Sequence, residues 1–260
     1  PVSVSVIGMG KLGAPMAAAI AARGIRTIGV DTDAAKVEAI AEGLPPVFEP
    51  GLAETLILAK GRLTATQNIE EAVRDSNITF IVVSTPADSD GRFSLRYVLP
   101  VCEAIGRALA AKREFHVVVL TSTVMPGATG SAVCQTLEKA SRKRAGIDFG
   151  LCYSPEFIAL GSVIRDFLNP DLLLIGESDE RAGAILESLY GSVCENRPAV
   201  ARMNFVNAEI AKLSVNTYVT TKISFANMLA RLCEKVPGAS VDVVTGAIGL
   251  DSRIGGKYLK

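Results

Sequence analysis

The chain has 260 residues, 49% of them hydrophobic and 21% charged, and its 27 lysines and arginines balance 27 aspartates and glutamates. A chain of this length and apolar content can bury one large core or one and a half domains, and its even charge, without a basic stripe or interleaved aromatics, argues against nucleic acid as a partner. No apolar run is long enough to span a membrane, and Pro1 leads straight into a strand pattern without a basic start or cleavage site, so the expected setting is the cytoplasm and the expected partner a small molecule.

Val2-Ser3-Val4-Ser5-Val6-Ile7 reads as a buried strand that runs into Gly8-Met9-Gly10-Lys11-Leu12-Gly13. Each glycine has a mechanical role there: Gly8 makes the tight turn, Gly10 lets a pyrophosphate approach the main chain, and Gly13 lets the next helix pack on the strand. The phosphates then sit on a helix N-terminus. After a helical pattern over 11–23, a second strand over 25–30 ends at Asp31, at the distance a ribose-binding carboxylate requires. Its charge disfavours the extra 2′-phosphate of NADP, so NAD is the expected cofactor, held by Gly8, Met9, Gly10, Lys11, Leu12, Gly13 and Asp31.

Further strands over 78–83, 116–121 and 149–153 alternate with helical patterns over 33–42, 95–111 and 130–144. That alternation predicts an α/β fold, a Rossmann-type doubly wound parallel sheet with helices on both faces. Ligands collect outside the carboxyl ends of such strands, where this chain places Gly8 to Gly13, Asp31, Ser84-Thr85-Pro86 and Ser122-Thr123; Thr85 joins the cofactor set. Residues 88–92 read as a polar loop. The five cysteines, Cys102, Cys134, Cys152, Cys194 and Cys233, are odd in number, show no paired metal-ligand spacing and read as small buried hydrophobes in a reducing compartment, with no metal expected.

Oxidation of a hydroxyl needs a proton acceptor, and the only histidine, His116, opens an apolar strand and reads as structural. The acceptor is then a lysine, a carboxylate or a positioned water. Glu156, in Ser154-Pro155-Glu156-Phe157 directly after a strand, stands at the ligand edge of the sheet, and Thr123 stands at an equivalent strand end; either could instead be a satisfied turn residue. From Asn204 to about Glu234 the pattern stays helical until Pro237-Gly238 stops it, a helix of about 45 Å. Ile210, Leu213, Val219, Ile223 and Leu229 form an apolar stripe along it, suited to linking two domains or to a dimer contact. Lys212 and Asn216 share a face of this helix and together could hold an oxygen gaining negative charge; a solvated surface lysine is the plain alternative. A short helix over 238–249 and an exposed loop over 251–256 follow. The expected domains are 1–203, which binds NAD, and 204–260, a long connecting helix with the start of an all-α dimerisation region.

Phe48-Glu49-Pro50-Gly51-Leu52, Ser122-Thr123-Val124, Pro155-Glu156-Phe157, Asp166-Phe167 with Asn169-Pro170-Asp171, Ala208-Glu209 through Lys212 to Asn216, and Arg253-Ile254-Gly255 through Lys260 together resemble the UDP-glucose/GDP-mannose dehydrogenase family, over essentially the whole chain. Its members oxidise the 6-hydroxymethyl group of a nucleotide sugar to a carboxylate with two NAD. The resemblance implies that Glu156, Lys212 and Asn216 line the reacting end of the sugar, the last two stabilising oxyanions, and that Thr123 positions cofactor or water. It further implies that Asp31 and Lys36 hold the adenosine ribose, and that Arg253, Tyr258 and Lys260 contact substrate, the arginine reaching a neighbouring subunit's. UDP-glucose is the first substrate by this reading, its sugar acid serves polysaccharide or glycoside synthesis, and a homodimer forms through the helix of 204–235.

Two departures stand out. The family's second glutamate, four residues after that of its Pro-Glu-Phe motif, is Leu160 here, and the arginine before it is Ala159. The family's glycine-rich loop with the nucleophilic cysteine follows the Lys260 position, and its C-terminal nucleotide-binding domain comes later still. These 260 residues are therefore expected to be the N-terminal part of a longer protein, inactive alone. A β-hydroxyacid dehydrogenase would share the glycine turn, a Ser-Thr near a proline and a lysine with an asparagine four residues on, but Pro155-Glu156-Phe157 and the segment from Arg253 to Lys260 argue against it. A catalytically silent NAD-binding and dimerisation module is the third reading.

Overall fold

The computed structural model describes residues 2–259; Lys260, an expected substrate contact, lies outside them. The chain forms two compact units, Pro1–Glu209 and Ile210–Lys260. In the first, strands β1 (Ser3–Ile7), β2 (Arg26–Val30), β3 (Leu63–Thr66), β4 (Ile78–Ile81), β5 (Val117–Leu120), β6 (Gly150–Tyr153), β7 (Leu172–Glu177) and β8 (Ala199–Met203) alternate with helices α1 (Gly13–Ala22), α2 (Ala34–Ala41), α3 (Leu52–Leu58), α4 (Ile69–Arg74), α5 (Val98–Ala111), α6 (Cys134–Ser141), α7 (Val163–Leu168) and α8 (Glu180–Val193). Helix α9 (Phe205–Cys233) crosses the boundary between the units, and α10 (Val241–Ile248) belongs to the second.

The strands form one sheet in the order β3-β2-β1-β4-β5-β6-β7-β8. All neighbours pair in parallel except β6 and β7, which run antiparallel through Cys152–Glu177 and Tyr153–Gly176. The sheet is thus mostly parallel, the expected Rossmann-like α/β architecture, with one antiparallel pair. Its five expected strands are present and mutually parallel; β3, β7 and β8 are additions. The order reverses between β1 and β4, the point at which open α/β sheets bind ligands. Two helix groups, α1 with α3 and α7, and α5 with α4 and α6, pack against the sheet.

Strands buried on both faces explain the Val-, Ile- and Leu-rich runs of β1, β4 and β5. The core joins Val4, Val6, Met16 and Ile20 to Phe80, Val119, Leu186 and Tyr190, with the Tyr190 ring edge-on to Phe80 and Phe167, 6.4 Å between centroids in each case. The helical pattern over 130–144 is realised as a π-helical turn, Thr129–Val133, running into α6. Cys102, Cys152 and Cys194 are buried as expected, whereas Cys134 and Cys233 are only half-buried. Burial pushes the Cys102 thiol up to about 12 and the Cys194 thiol up to about 11, which keeps both protonated and unreactive.

His116 is part of this core. Its Nε2 lies 2.8 Å from Thr79 Oγ1, Thr79 Oγ1 lies 2.7 Å from Ser5 Oγ, Ser5 Oγ lies 2.9 Å from Ser76 Oγ, and Ser76 Oγ lies 2.8 Å from the Ala72 carbonyl. Ser76 Oγ is the donor toward both Ser5 Oγ and the Ala72 carbonyl, and on the other side of the ring His116 Nδ1 lies 3.1 Å from the Ser76 carbonyl oxygen and from Lys112 Nζ. Lys112 Nζ itself donates to the Val73 and Ser76 carbonyls. A neutral imidazole satisfies every member. Burial, then the Lys112 charge, pull the His116 pKa down to about 3.

Candidate functional site

The coenzyme crevice is built from backbone. Where β1 ends, the Gly8 amide donates to the Val30 carbonyl at 2.7 Å and the residue takes φ +103°, with the position of a Cβ only 2.4 Å from the Val82 carbonyl oxygen. A Cβ on Gly13 would lie 1.8 Å from the Gly8 oxygen, so α1 can approach β1 only without one. Gly10 differs: a Cβ there would meet no protein atom within 4 Å. Its missing side chain therefore leaves room beside the turn for a ligand. Leu12 precedes α1 without any side-chain capping bond, and the Ala14 amide donates to the Gly10 carbonyl at 3.1 Å. Such an end suits a diphosphate.

Asp31 follows β2 with its carboxylate fixed from three sides. Oδ2 accepts from the Met9 amide at 2.7 Å and from Lys36 Nζ at 3.2 Å, and Oδ1 accepts from the Asp33 amide at 3.0 Å. A carboxylate has about four acceptor positions, which leaves one for a ribose hydroxyl. The Asp31 side chain is 11% exposed, so that position is reachable but shielded. Met9 contributes its amide only, since its side chain fills the core beneath Gly29; Lys11 is exposed and Leu12 half-buried.

Thr85 and Thr123 meet at the ends of β4 and β5. Thr85 Oγ1 donates to the Thr123 carbonyl at 2.7 Å, and Ser122 Oγ donates to the Val83 carbonyl at 2.6 Å, so each strand end fixes the other. Thr123 itself is half-buried. Glu156, past the end of β6, is also half-buried, and its charge raises the pKa of Tyr190 and of Cys194, second in each case to burial. Ser154 Oγ lies 2.9 Å from the Tyr190 hydroxyl just before it. The four segments at Gly8–Gly13, Asp31, Thr85 and Thr123 thus follow the carboxyl ends of four adjacent parallel strands.

Two buried glutamates that residue patterns gave no role hold this edge in place. Glu209, fully buried near the start of α9, accepts from the Gly127 amide at 2.5 Å and the Thr129 amide at 2.8 Å, fastening the turn after Thr123. Glu49 accepts from the Gly161 and Val163 amides at 3.1 and 2.8 Å, which caps α7 and anchors the loop after Glu156. The signal for both was an acid inside an otherwise apolar or Pro-Gly context, Glu49-Pro50-Gly51 and Ala208-Glu209-Ile210. Leu160 and Ala159, in the loop Glu49 anchors, are exposed.

In the second unit, Lys212 is buried and Asn216 exposed on one face of α9. Lys222 Nζ donates to the Ile254 and Gly255 carbonyls at 2.9 and 3.1 Å, tying the expected loop to the helix. Arg253 is 86% exposed and bound through Nε and Nη2 to Asp251, at 3.0 and 2.7 Å, which raises its pKa and lowers that of Asp251. Tyr258 takes φ +68°, uncommon for a side-chain-bearing residue. Among the described residues no group of three His, Cys, Asp or Glu could hold a metal ion, and no helix is long and apolar enough to cross a membrane.

Comparison with known proteins places both units. Residues 2–194 match the NAD binding domain, and residues 206–260 the central domain, of the UDP-glucose/GDP-mannose dehydrogenase family. The chain is 36% identical over 253 residues to a GDP-mannose 6-dehydrogenase of Azotobacter vinelandii, covering 96% of this chain and 57% of that protein, and 37% identical over 259 residues to the UDP-glucose 6-dehydrogenase TuaD of Bacillus subtilis, covering 99% and 54%. A ternary complex of GDP-mannose dehydrogenase from Pseudomonas aeruginosa superposes with a TM-score of 0.91 at 36% identity, over 96% of this chain and 57% of that one. A 3-hydroxyisobutyrate dehydrogenase from Salmonella typhimurium, 13% identical over 100% of this chain and 76% of that one, shares the fold alone at a TM-score of 0.62. The chain spans a little over half the length of the curated relatives it matches. With a family match across nearly all its residues, and a Gly10 turn and Asp31 carboxylate shaped for a dinucleotide, this chain is a member of the UDP-glucose/GDP-mannose dehydrogenase family and carries its NAD-binding domain.

Proposed function

We propose that the chain serves the NAD-dependent oxidation of the 6-hydroxymethyl group of a nucleotide sugar, in the cytoplasm, with UDP-glucose as the substrate to test first. The observation that carries this reading is the Gly8–Gly13 turn, closed by protein at Gly8 and Gly13 and open at Gly10, beside a held Asp31 carboxylate. When bound, NAD supplies the two-electron acceptor. The turn holds its diphosphate, and Asp31, positioned by Lys36, takes the adenosine ribose and repels a 2′-phosphate. Thr123, fixed through its carbonyl by Thr85, orients cofactor or water. Lys212 and Asn216 hold the oxygen that gains charge as the alcohol loses its proton, with Glu156 at the same end of the sugar. Arg253, Tyr258 and Lys260 contact the nucleotide sugar.

The exposed apolar residues of α9 and beyond, among them Tyr218, Ile223, Phe225, Met228 and Leu232, are covered in a homodimer. The resemblance assigns the nucleophilic cysteine to a position outside residues 1–260, so these residues alone bind NAD and give no turnover. Calorimetric titration with NAD and absorbance of NADH, with UDP-glucose and GDP-mannose in parallel, test this. Failure to bind NAD would refute the coenzyme assignment, and NADH formation by residues 1–260 would refute the need for the cysteine. In a polypeptide that includes it, turnover of GDP-mannose but not UDP-glucose would replace the substrate.

A further inference from the structure

The sheet edge opposite the coenzyme crevice holds a cavity of about 570 Å³, within the range of about 300–1,000 Å³ typical of small-molecule sites. Its walls come from three places: the end of α5 and the link to β5, with Lys112, Arg113 and Phe115; the link from α6 to β6, with Lys143, Ile147 and Asp148; and Arg181 at the start of α8. The first two links precede parallel strands and so lie at the edge opposite Gly8 and Asp31. Arg181 reaches the same edge because β7 runs antiparallel to β6, returning the chain there before α8 begins. The one reversal in the sheet thus brings Arg181 beside the two links.

Four basic residues line this cavity against one acid, in a chain with no net charge. Lys112 turns its ammonium inward to carbonyls and His116 and leaves its carbonyl toward the cavity, where it accepts from Lys143 Nζ and fixes that charge. Asp148 engages the Arg144 amide at 2.8 Å. No ion pair forms at Arg113, Lys143 or Arg181 among the described residues. The Arg181 guanidinium lies 3.8 Å over the centroid of the Phe115 ring, which holds the group flat without using its N–H donors. A planar fork held in this way matches a tetrahedral oxyanion, whereas a freely solvated arginine would first have to be ordered.

We propose that this cavity binds the phosphoryl group of a phosphorylated small molecule, through Arg181, Arg113 and Lys143. The site is independent of the coenzyme turn. Inorganic pyrophosphate titrated calorimetrically at low salt is the probe, using Gly10→Val to fill the space beside the turn, since the position of a Cβ at Gly10 is open. Binding persists in Gly10→Val, weakens about tenfold on adding Arg181→Ala, weakens again with Arg113→Ala, and recovers in part with Arg181→Lys. Both arginines are exposed, so the variants keep the fold, and unchanged melting temperatures check that. UDP binding that is tighter than pyrophosphate and weakens with Arg181→Ala and Arg113→Ala assigns the phosphoryl group to a nucleotide; UDP binding indifferent to both substitutions assigns it to the free anion. Loss of all pyrophosphate binding in Gly10→Val, or binding indifferent to both arginine substitutions, would overturn the proposal.

Discussion

Acidification should destabilise the first unit through His116 in a way that one substitution removes. The imidazole is buried and neutral, its Nδ1 facing the Lys112 ammonium at 3.1 Å, so protonation would set two cations side by side in the core. Its pKa is drawn from the ordinary 6.5 to about 3. Between those values the unfolded chain binds one more proton than the folded one, so this contribution to stability is complete above pH 6.5 and declines as the pH falls toward 3. The slope is about 1.4 kcal/mol per pH unit, which amounts to about 2.5 kcal/mol between pH 7 and pH 4.5. Carboxylates also titrate in that interval, so the effect is read as a difference. Urea unfolding followed by circular dichroism at both pH values should show the wild type losing about 2.5 kcal/mol more than His116→Gln, whose amide can donate to Thr79 and accept from Lys112 without titrating. Equal losses in the two proteins would refute a His116 held neutral in the core.

The remaining predictions separate stability from binding. Gly13→Ala, with its Cβ forced to 1.8 Å from the Gly8 oxygen, should lower the melting temperature and abolish NAD binding together, whereas Gly10→Ala should melt like the wild type and still bind NAD more weakly. Asp31→Ala should weaken NAD about tenfold or more while leaving NADP unchanged or improved, because Lys36 is freed to meet a 2′-phosphate; dissociation constants for the two cofactors decide this. Glu209→Ala strands the half-buried Gly127 amide and the buried Thr129 amide and should cost about 2–4 kcal/mol in urea unfolding; a loss below about 1 kcal/mol would mean that the turn after Thr123 does not depend on that carboxylate.

The sequence was most legible where one residue type admits one explanation. Gly8, Gly10 and Gly13 sit between a Val-rich strand and an Ala-rich helix, and the structure gives each a different neighbour: a carbonyl of β4's extension, open space, and the turn itself. Strands were legible when β-branched, as in β1 and β5. β7 begins Leu172-Leu173-Leu174, a run that suits a helix as well as a strand, and β3 is four residues of mixed polarity that pair with β2. No local pattern encodes the antiparallel turn of β7, because strand direction is set by the connections and by what covers the sheet edge.

Glu49 and Glu209 show why the candidate site was only partly readable. Periodicity marks residues whose neighbours are close in sequence, yet Glu209 serves amides 80 and 82 residues away and Glu49 amides 112 and 114 residues away. Both acids are buried, and a buried carboxylate is stable only when fully hydrogen-bonded, so each fixes two backbone groups with little freedom to yield. The loops they fix carry Thr123 on one side and Glu156 on the other. A crevice made mostly of main chain has few side chains of its own to define its shape; distant carboxylates supply that definition, and substitutions there should disturb the crevice without touching any ligand.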